Sequence, residues 1–191
     1  MPRERFVPRS LRARAWEDCA LPIGADQTIS QPYLVAYMVD VLDLAATDRV
    51  LDVGTGSGYH AAVLARLAAH VWTIERHGSL ARHAAVTLAR LGVENVTPLV
   101  GDGSRGLPEA APFEAINVAA AVEGAIPPAL LDQLADGGRL LAPVRDGEEH
   151  LVLIRRAGEV FERTEHGAVR FVPLVADEPA GGTPPSSDGP G

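Results

Sequence analysis

Three glycines, Gly54, Gly56 and Gly58, follow directly on the apolar run Val50-Leu51-Asp52-Val53, and this junction constrains the fold more than any other feature of the chain. Glycine takes positive φ without steric cost and has no side chain, so a strand ending there can turn sharply beneath a ligand with its amides exposed. Residues 59–69 are rich in alanine and leucine and are expected to continue as a helix. Strand, tight glycine turn and helix open a doubly wound sheet, whose ligands lie at the carboxyl ends of the strands. A second strand is expected over 71–74, ending in Glu75, about where such folds hold a ribose diol, roughly 20 residues past the loop.

The spacing and the charge of the loop bear on the ligand. It reads Gly54-Thr55-Gly56-Ser57-Gly58, preceded by Asp52, rather than G-x-G-x-x-G. A carboxylate at the loop mouth would repel a pyrophosphate, but it suits a ligand with no phosphates and an ammonium group. S-adenosyl-L-methionine is such a ligand. At the end of the next apolar segment, 96–100, Gly101-Asp102-Gly103 places a carboxylate near the adenine's exocyclic amine. Each piece also has a plain structural reading: a glycine turn joins strand to helix, Glu75 is a solvated strand-end acid, and Asp102-Gly103 is a turn pair. It is their order and spacing that join them into one nucleoside site.

At 191 residues the chain suits a single domain able to bury a sheet between two layers of helix. That domain is expected over 1–175, and 176–191, rich in Pro, Gly and Ser, is expected to be a flexible tail. Lysine and arginine number 17 against 25 acidic residues, a net charge of −8, and without a long basic patch nucleic acid is disfavoured as principal partner. No secretory segment or apolar span of roughly 18 residues is visible, and the single Cys19 excludes an internal disulfide framework. The expectation is a cytoplasmic protein, a monomer, with no membrane partner. Six histidines show no metal-binding spacing, so no metal is expected. His77 and His83 are placed on a solvated face of the helix after Glu75.

Downstream, residues 113–119 read as a fourth strand, 127–134 as a helix opened by proline and 138–144 as a fifth strand. Two extended segments, 150–155 and 169–174, follow without an obvious helix between them, which predicts a mostly parallel sheet ending in an antiparallel hairpin. Ahead of the loop, a helix over residues 33–42 has Ser30 as its expected N-cap, with Pro32 in the first turn.

Taken together, Leu21-Pro22-Ile23-Gly24, Gln27-Thr28-Ile29-Ser30-Gln31-Pro32-Tyr33, the glycine loop with Tyr59, Thr73-Ile74-Glu75, Gly101-Asp102-Gly103, Gly137-Gly138-Arg139-Leu140 and Val169-Arg170-Phe171-Val172-Pro173-Leu174 closely resemble the protein-L-isoaspartate (D-aspartate) O-methyltransferases. The resemblance covers residues 3–174. It implies a Rossmann-like class I methyltransferase fold, with a mostly parallel seven-stranded sheet, a C-terminal antiparallel hairpin and helices on both faces. It further implies Ser30 as the active-site serine, and a cofactor site for S-adenosyl-L-methionine made by Thr28, Ile29, Asp52, Gly54, Thr55, Gly56, Ser57, Gly58, Glu75, Asp102 and Gly103. The implied acceptor is the free α-carboxylate of an isoaspartyl residue in a damaged protein or peptide. Such a carboxylate is ionised near neutral pH, which accounts for the lack of an evident general base near the loop.

Members usually carry a helical segment ahead of the residues matching Arg5-Phe6-Val7-Pro8, close to which this chain begins. Asn117-Val118-Ala119-Ala120-Ala121-Val122 and Val175 depart from the family's usual residues. Two related readings stay open: an O-methyltransferase acting on an aspartate of one specific peptide partner, and a homologue that binds the cofactor without transferring methyl. A nicotinamide oxidoreductase is disfavoured by Asp52 and by the glycine spacing.

Overall fold

The computed structural model describes residues 1–176; the expected tail beyond Ala176 lies outside the described residues. Two 3-10 turns, Arg3–Arg5 and Arg9–Arg14, lead into a small antiparallel hairpin of β1 (Leu21–Gly24) and β2 (Gln27–Ile29), then helix α1 (Pro32–Leu42). The doubly wound part follows as β3 (Arg49–Val53), α2 (Tyr59–Leu64), β4 (His70–Glu75), α3 (Gly78–Arg90), β5 (Val96–Val100) and β6 (Phe113–Val118). After a two-residue β7 (Val122–Glu123) and α4 (Pro128–Asp132), the long β8 (Leu134–Asp146) returns to the sheet, and antiparallel β9 (Glu148–Ala157) and β10 (Val160–Ala168) complete it.

Seven strands run in the order β10-β9-β8-β6-β3-β4-β5, with β7 pairing beside β8. The expected class I methyltransferase architecture is thus present, including the parallel centre and the closing hairpin. Strand β3 has β4 on one side and β6 on the other. Crossovers leave β3 in opposite directions, and the gap between the carboxyl ends of β3 and β6 is the topological switch point at which such sheets bind ligands.

Alternate residues of the central strands feed two cores, so these strands read as continuous apolar runs rather than alternating ones. Leu51, Val53, Ile116 and Leu140 pack with Phe113 and Leu130 on one face. Val50, Ala115 and Leu141 pack with Met38, Leu42 and Leu64 on the other. Arg139 ties the end of α1 to β8: its buried guanidinium donates to the carbonyls of Leu42, Asp43 and Glu114 and pairs with Asp48. Among the described residues no helix is long and apolar enough to cross a membrane.

Three elements differ from expectation. Helix α2 ends at Leu64 rather than near residue 69, because the Asn95 amide donates to the carbonyls of Ala65 and Ala68 and terminates the helix from outside. The partner of β9 is Val160–Ala168, not 169–174. Residues 169–174 cross back instead, where Ala121 N–H donates to Val172 O and Leu174 N–H to Ala121 O, both at 2.7 Å. Finally, Ser30 does not cap α1. Gln31 is the N-cap residue and makes no side-chain cap bond, and it is Asp18 that accepts from the Tyr33 amide at 3.0 Å.

Candidate active site

The carboxyl ends of β3, β4 and β6 and the turn after β5 open onto one cleft of about 320 Å³, within the size range of small-molecule sites. Its walls include Val53, Gly54 and Gly56 from β3 and its loop, Glu75, Arg76 and His77 after β4, Gly103 after β5, and Ala119 and Ala120 after β6. The β1–β2 turn with Thr28 closes one side and Val172 to Val175 the other.

The loop glycines have φ of +96°, +51° and +86° at positions 54, 56 and 58. A side chain at Gly58 would be strained by that φ, and its Cβ would come within 3.1 Å of the Ala84 Cβ on α3. Most of the loop's amides are committed within the protein rather than exposed, contrary to expectation. Gly54 and Thr55 N–H donate to Ile74 O, Gly58 N–H to Thr55 O, and Tyr59 N–H to Ser57 Oγ. Gly56 N–H donates to Glu75 Oε2 at 2.9 Å. Glu75 also accepts from the His77 amide at 2.9 Å, so its carboxylate is locked at the rim, with lone pairs remaining on both oxygens.

At Gly103 the turn after β5 lies directly against the end of β3. A Cβ there would sit 2.5 Å from Val53 Cγ1, so only glycine lets the turn lie against the strand end. Asp102 is turned into its own turn, its Oδ1 accepting from Ser104 N–H at 2.9 Å and Ser104 Oγ at 2.7 Å. Gly103, rather than Asp102, thus forms the cleft wall.

Asp52 is not at the loop mouth. It lies fully buried beneath the loop, accepting from Thr73 Oγ1 and from Asn117 Nδ2, both at 2.7 Å. Burial pushes its carboxyl up to about 6, against these two hydrogen bonds, which lower it. Thr73 spends its one proton on Asp52, so Thr55, 2.7 Å away, donates to Thr73. Asn117 Nδ2 also lies 3.3 Å from His60 Nδ1. His60 is buried as well, and burial pushes it down to about 4.

Ser30 occupies a different position, at the far side of Thr28. A cavity of about 40 Å³ lined by Thr28, Ile29, Ser30, Gly54, Thr55, Gly56, Ser57 and His60 adjoins the cleft. Beyond it a groove of about 430 Å³ is lined by Ser30, Gln31, Leu34, Arg170 and Phe171. Thr28 and Ala119 border all three spaces. The carbonyl of Ser30 is held by Arg3 Nη1 at 2.8 Å, which fixes the backbone of the segment.

Comparison with known proteins agrees with this geometry. Residues 1–179 match the family model of protein-L-isoaspartate (D-aspartate) O-methyltransferases. The chain belongs to this family. Among its relatives, the protein-L-isoaspartate O-methyltransferase of Chromohalobacter salexigens is 51% identical over 176 residues, covering 91% of this chain and 76% of the relative. A solved protein-L-isoaspartate O-methyltransferase superposes with a TM-score of 0.83 at 30% identity, covering 92% of this chain and 59% of that one. A Plasmodium falciparum protein described by the same activity, solved in complex with S-adenosyl-L-homocysteine, has a TM-score of 0.74 at 23% identity and covers 92% of this chain and 86% of its own. The last likeness bears on the fold alone.

Within this isoaspartate O-methyltransferase the structure brings Thr28, Gly54, Gly56, Glu75 and Gly103 together at the cleft. Ile29, Ser30, Thr55 and Ser57 gather at the small cavity, whereas Asp52, Gly58 and Asp102 line neither. Sequence reasoning missed His77, which is the N-cap of α3 and half-buried at the cleft rather than on a solvated helical face. His83 is on α3 and exposed, as expected. Ala119 was findable, because it follows the fourth strand and all such strand ends face the ligand. The strap from Val172 to Val175 carries no local signal of its position.

Proposed function

We propose that the cleft holds S-adenosyl-L-methionine and that the groove beyond Ser30 receives an isoaspartyl residue of a damaged protein or peptide, whose free α-carboxylate is methylated. The observation that carries this reading is the position of Ser30, which lines both the groove and the small cavity that adjoins the cleft. Its hydroxyl has no hydrogen-bond partner among the described residues and caps no helix. The satisfied loop supports the choice of cofactor, because amides already committed to Ile74, Thr55 and Glu75 offer no cradle for a pyrophosphate.

Bound there, the cofactor supplies a methyl group on a sulfonium centre, which a carboxylate accepts without release of a proton. The protein's task is therefore alignment and exclusion of water, so that the nucleophile is not over-solvated. Ser30 donates a hydrogen bond that orients the acceptor carboxylate, and being neutral it fixes geometry without the charge pairing that would quench nucleophilicity. Glu75, oriented by two amides, takes the ribose diol. Gly54 and Gly56 let the backbone approach the nucleoside, and Thr28 and Ile29 form the wall between cofactor and acceptor. Thr55, Ser57 and Gly58 shape the loop. Gly103 lines the adenine side, with Asp102 closing the turn that holds it. Asp52 acts from below, as the buried acceptor that organises the loop.

Residues 1–175 make up this methyltransferase domain. We take it to work as a monomer and in the cytoplasm, where a chain with one cysteine and no internal disulfide is at home. Incubation with labelled S-adenosyl-L-methionine and paired aspartyl and isoaspartyl peptides tests the activity. Label on the isoaspartyl peptide alone is expected, and equal labelling of the pair would overturn the substrate assignment.

A further inference from the structure

His60 has no part in the function set out above, yet it is buried directly beneath the junction between cofactor cleft and acceptor groove. His60 lines the 40 Å³ cavity together with Ser30, Thr28, Thr55 and Ser57. Its Nε2 is buried without any hydrogen-bond partner, a costly arrangement for a polar atom in a protein interior. The other ring nitrogen is spoken for: Asn117 Nδ2 bonds Asp52 Oδ1 at 2.7 Å with one hydrogen and approaches His60 Nδ1 at 3.3 Å with the other. Turning the Asn117 amide over would set its oxygen against the Asp52 carboxylate, so Asp52 fixes Asn117 and Asn117 makes Nδ1 the acceptor. The ring proton is then on Nε2. Burial keeps the imidazole uncharged, since it lies near 4 rather than at its ordinary value.

The buried chain Thr55, Thr73, Asp52, Asn117, His60 consequently begins and ends at the wall of one cavity, and that cavity has room for about one small polar group. Building on the proposed function, we propose that His60 Nε2–H is a second neutral donor to the acceptor, binding the carboxylate oxygen opposite the one held by Ser30. Two neutral donors on one carboxylate set its plane as well as its position, and neither withdraws the charge that the methyl transfer uses. An imidazolium at the same place would form the stronger, nucleophilicity-quenching pair.

The test is calorimetric, with methyl transfer read alongside. Wild type, His60→Leu and His60→Gln are titrated first with S-adenosyl-L-homocysteine and then, saturated with it, with an isoaspartyl peptide and its aspartyl twin. Glutamine is the rescuing variant because its amide nitrogen reaches about as far as Nε2. The leucine variant is expected to bind the isoaspartyl peptide about tenfold more weakly, the loss of one hydrogen bond, and to show the matching rise in KM. Its affinity for S-adenosyl-L-homocysteine should stay within about twofold, and glutamine should restore the peptide to within about threefold. Parallel loss of S-adenosyl-L-homocysteine affinity would overturn the inference by assigning Nε2 to the cofactor. Unchanged peptide binding in both variants, or equal loss in both with a lowered melting point, would overturn it by leaving His60 only a packing role. If wild type itself does not prefer the isoaspartyl peptide, the substrate assignment fails and this inference fails with it; a preserved preference with no His60 effect removes this inference alone.

Discussion

Ser30 separates two roles that its sequence neighbourhood leaves superimposed. A serine two residues before a proline-opened helix reads as a cap, but the cap bond comes from Asp18. Ser30→Ala should therefore leave stability within about 0.5 kcal/mol, as for a side chain without partners, while turnover falls on the order of 10²-fold, the loss of one orienting donor. Chemical denaturation and methyl transfer on the same sample check both halves. Gly103→Ala is the converse case, since a Cβ 2.5 Å from Val53 Cγ1 must push the β5 turn off the strand end. Weaker S-adenosyl-L-homocysteine binding, measured by calorimetry, is the expected result.

The buried pair beneath the loop predicts opposing pH effects. Asp52 is held near 6, above its usual 3.8, so the folded state takes up its proton first and this group favours folding as pH falls from about 6 to 4. His60 is held near 4, below its usual 6.5, so its contribution to stability is lost as pH falls from about 6.5 to 4. Each effect is about 3 kcal/mol by linkage, and in the wild type they offset one another. His60→Gln removes only the second. Relative to wild type it should gain stability on acidification from pH 6.5 to 4, and parallel urea midpoints across that range would contradict the assignment of a neutral buried imidazole.

At the scale of elements, the segment that carries Ser30 is held by residues far away in sequence. Arg3, fully buried, donates to the carbonyls of Ala15, Cys19 and Ser30, joining the first 3-10 turn to the strand leading into α1. Arg3→Met keeps the bulk but strands three acceptors, at a cost of about 2 to 4 kcal/mol. It should also lower kcat/KM by freeing the Ser30 backbone, which a kinetic assay at a temperature below unfolding would show. The strand-turn-helix elements around the loop were legible because glycine spacing and apolar runs are local signals. The length of α2 was not, since it is set by Asn95 from another element. Nor was the partner of β9: β10 is exposed along nearly its whole length, so it has little apolar patterning to announce a strand, whereas the more apolar 169–174 is drawn to the cleft instead.

For the whole molecule, a ligand that binds only the folded chain adds stability that grows with the logarithm of its concentration relative to Kd. S-adenosyl-L-homocysteine at a hundred times its Kd should contribute about 2.7 kcal/mol, raising the melting midpoint by about 5 to 10 °C for a domain of this size. NAD at the same concentration should leave the midpoint unchanged, because the amides of Gly54, Thr55, Gly56 and Gly58 are already committed and cannot cradle its phosphates. A larger shift with NAD would contradict the cofactor assignment.

The alternation of strand and helix from β3 through β6 to α4 and β8, the glycine loop and the family were carried by the sequence, because each depends on short-range pattern: apolar periodicity, glycine at a turn, acids at strand ends. What the acids do was decided only by tertiary structure. Asp52, Glu75 and Asp102 look alike in the chain, yet burial takes the first under the loop, two amides hold the second at the rim, and a serine folds the third into its own turn. The meeting of Asp52, Asn117 and His60 joins residues separated by up to 65 positions, a juxtaposition that no local signal encodes, because it is created by β3 and β6 pairing side by side.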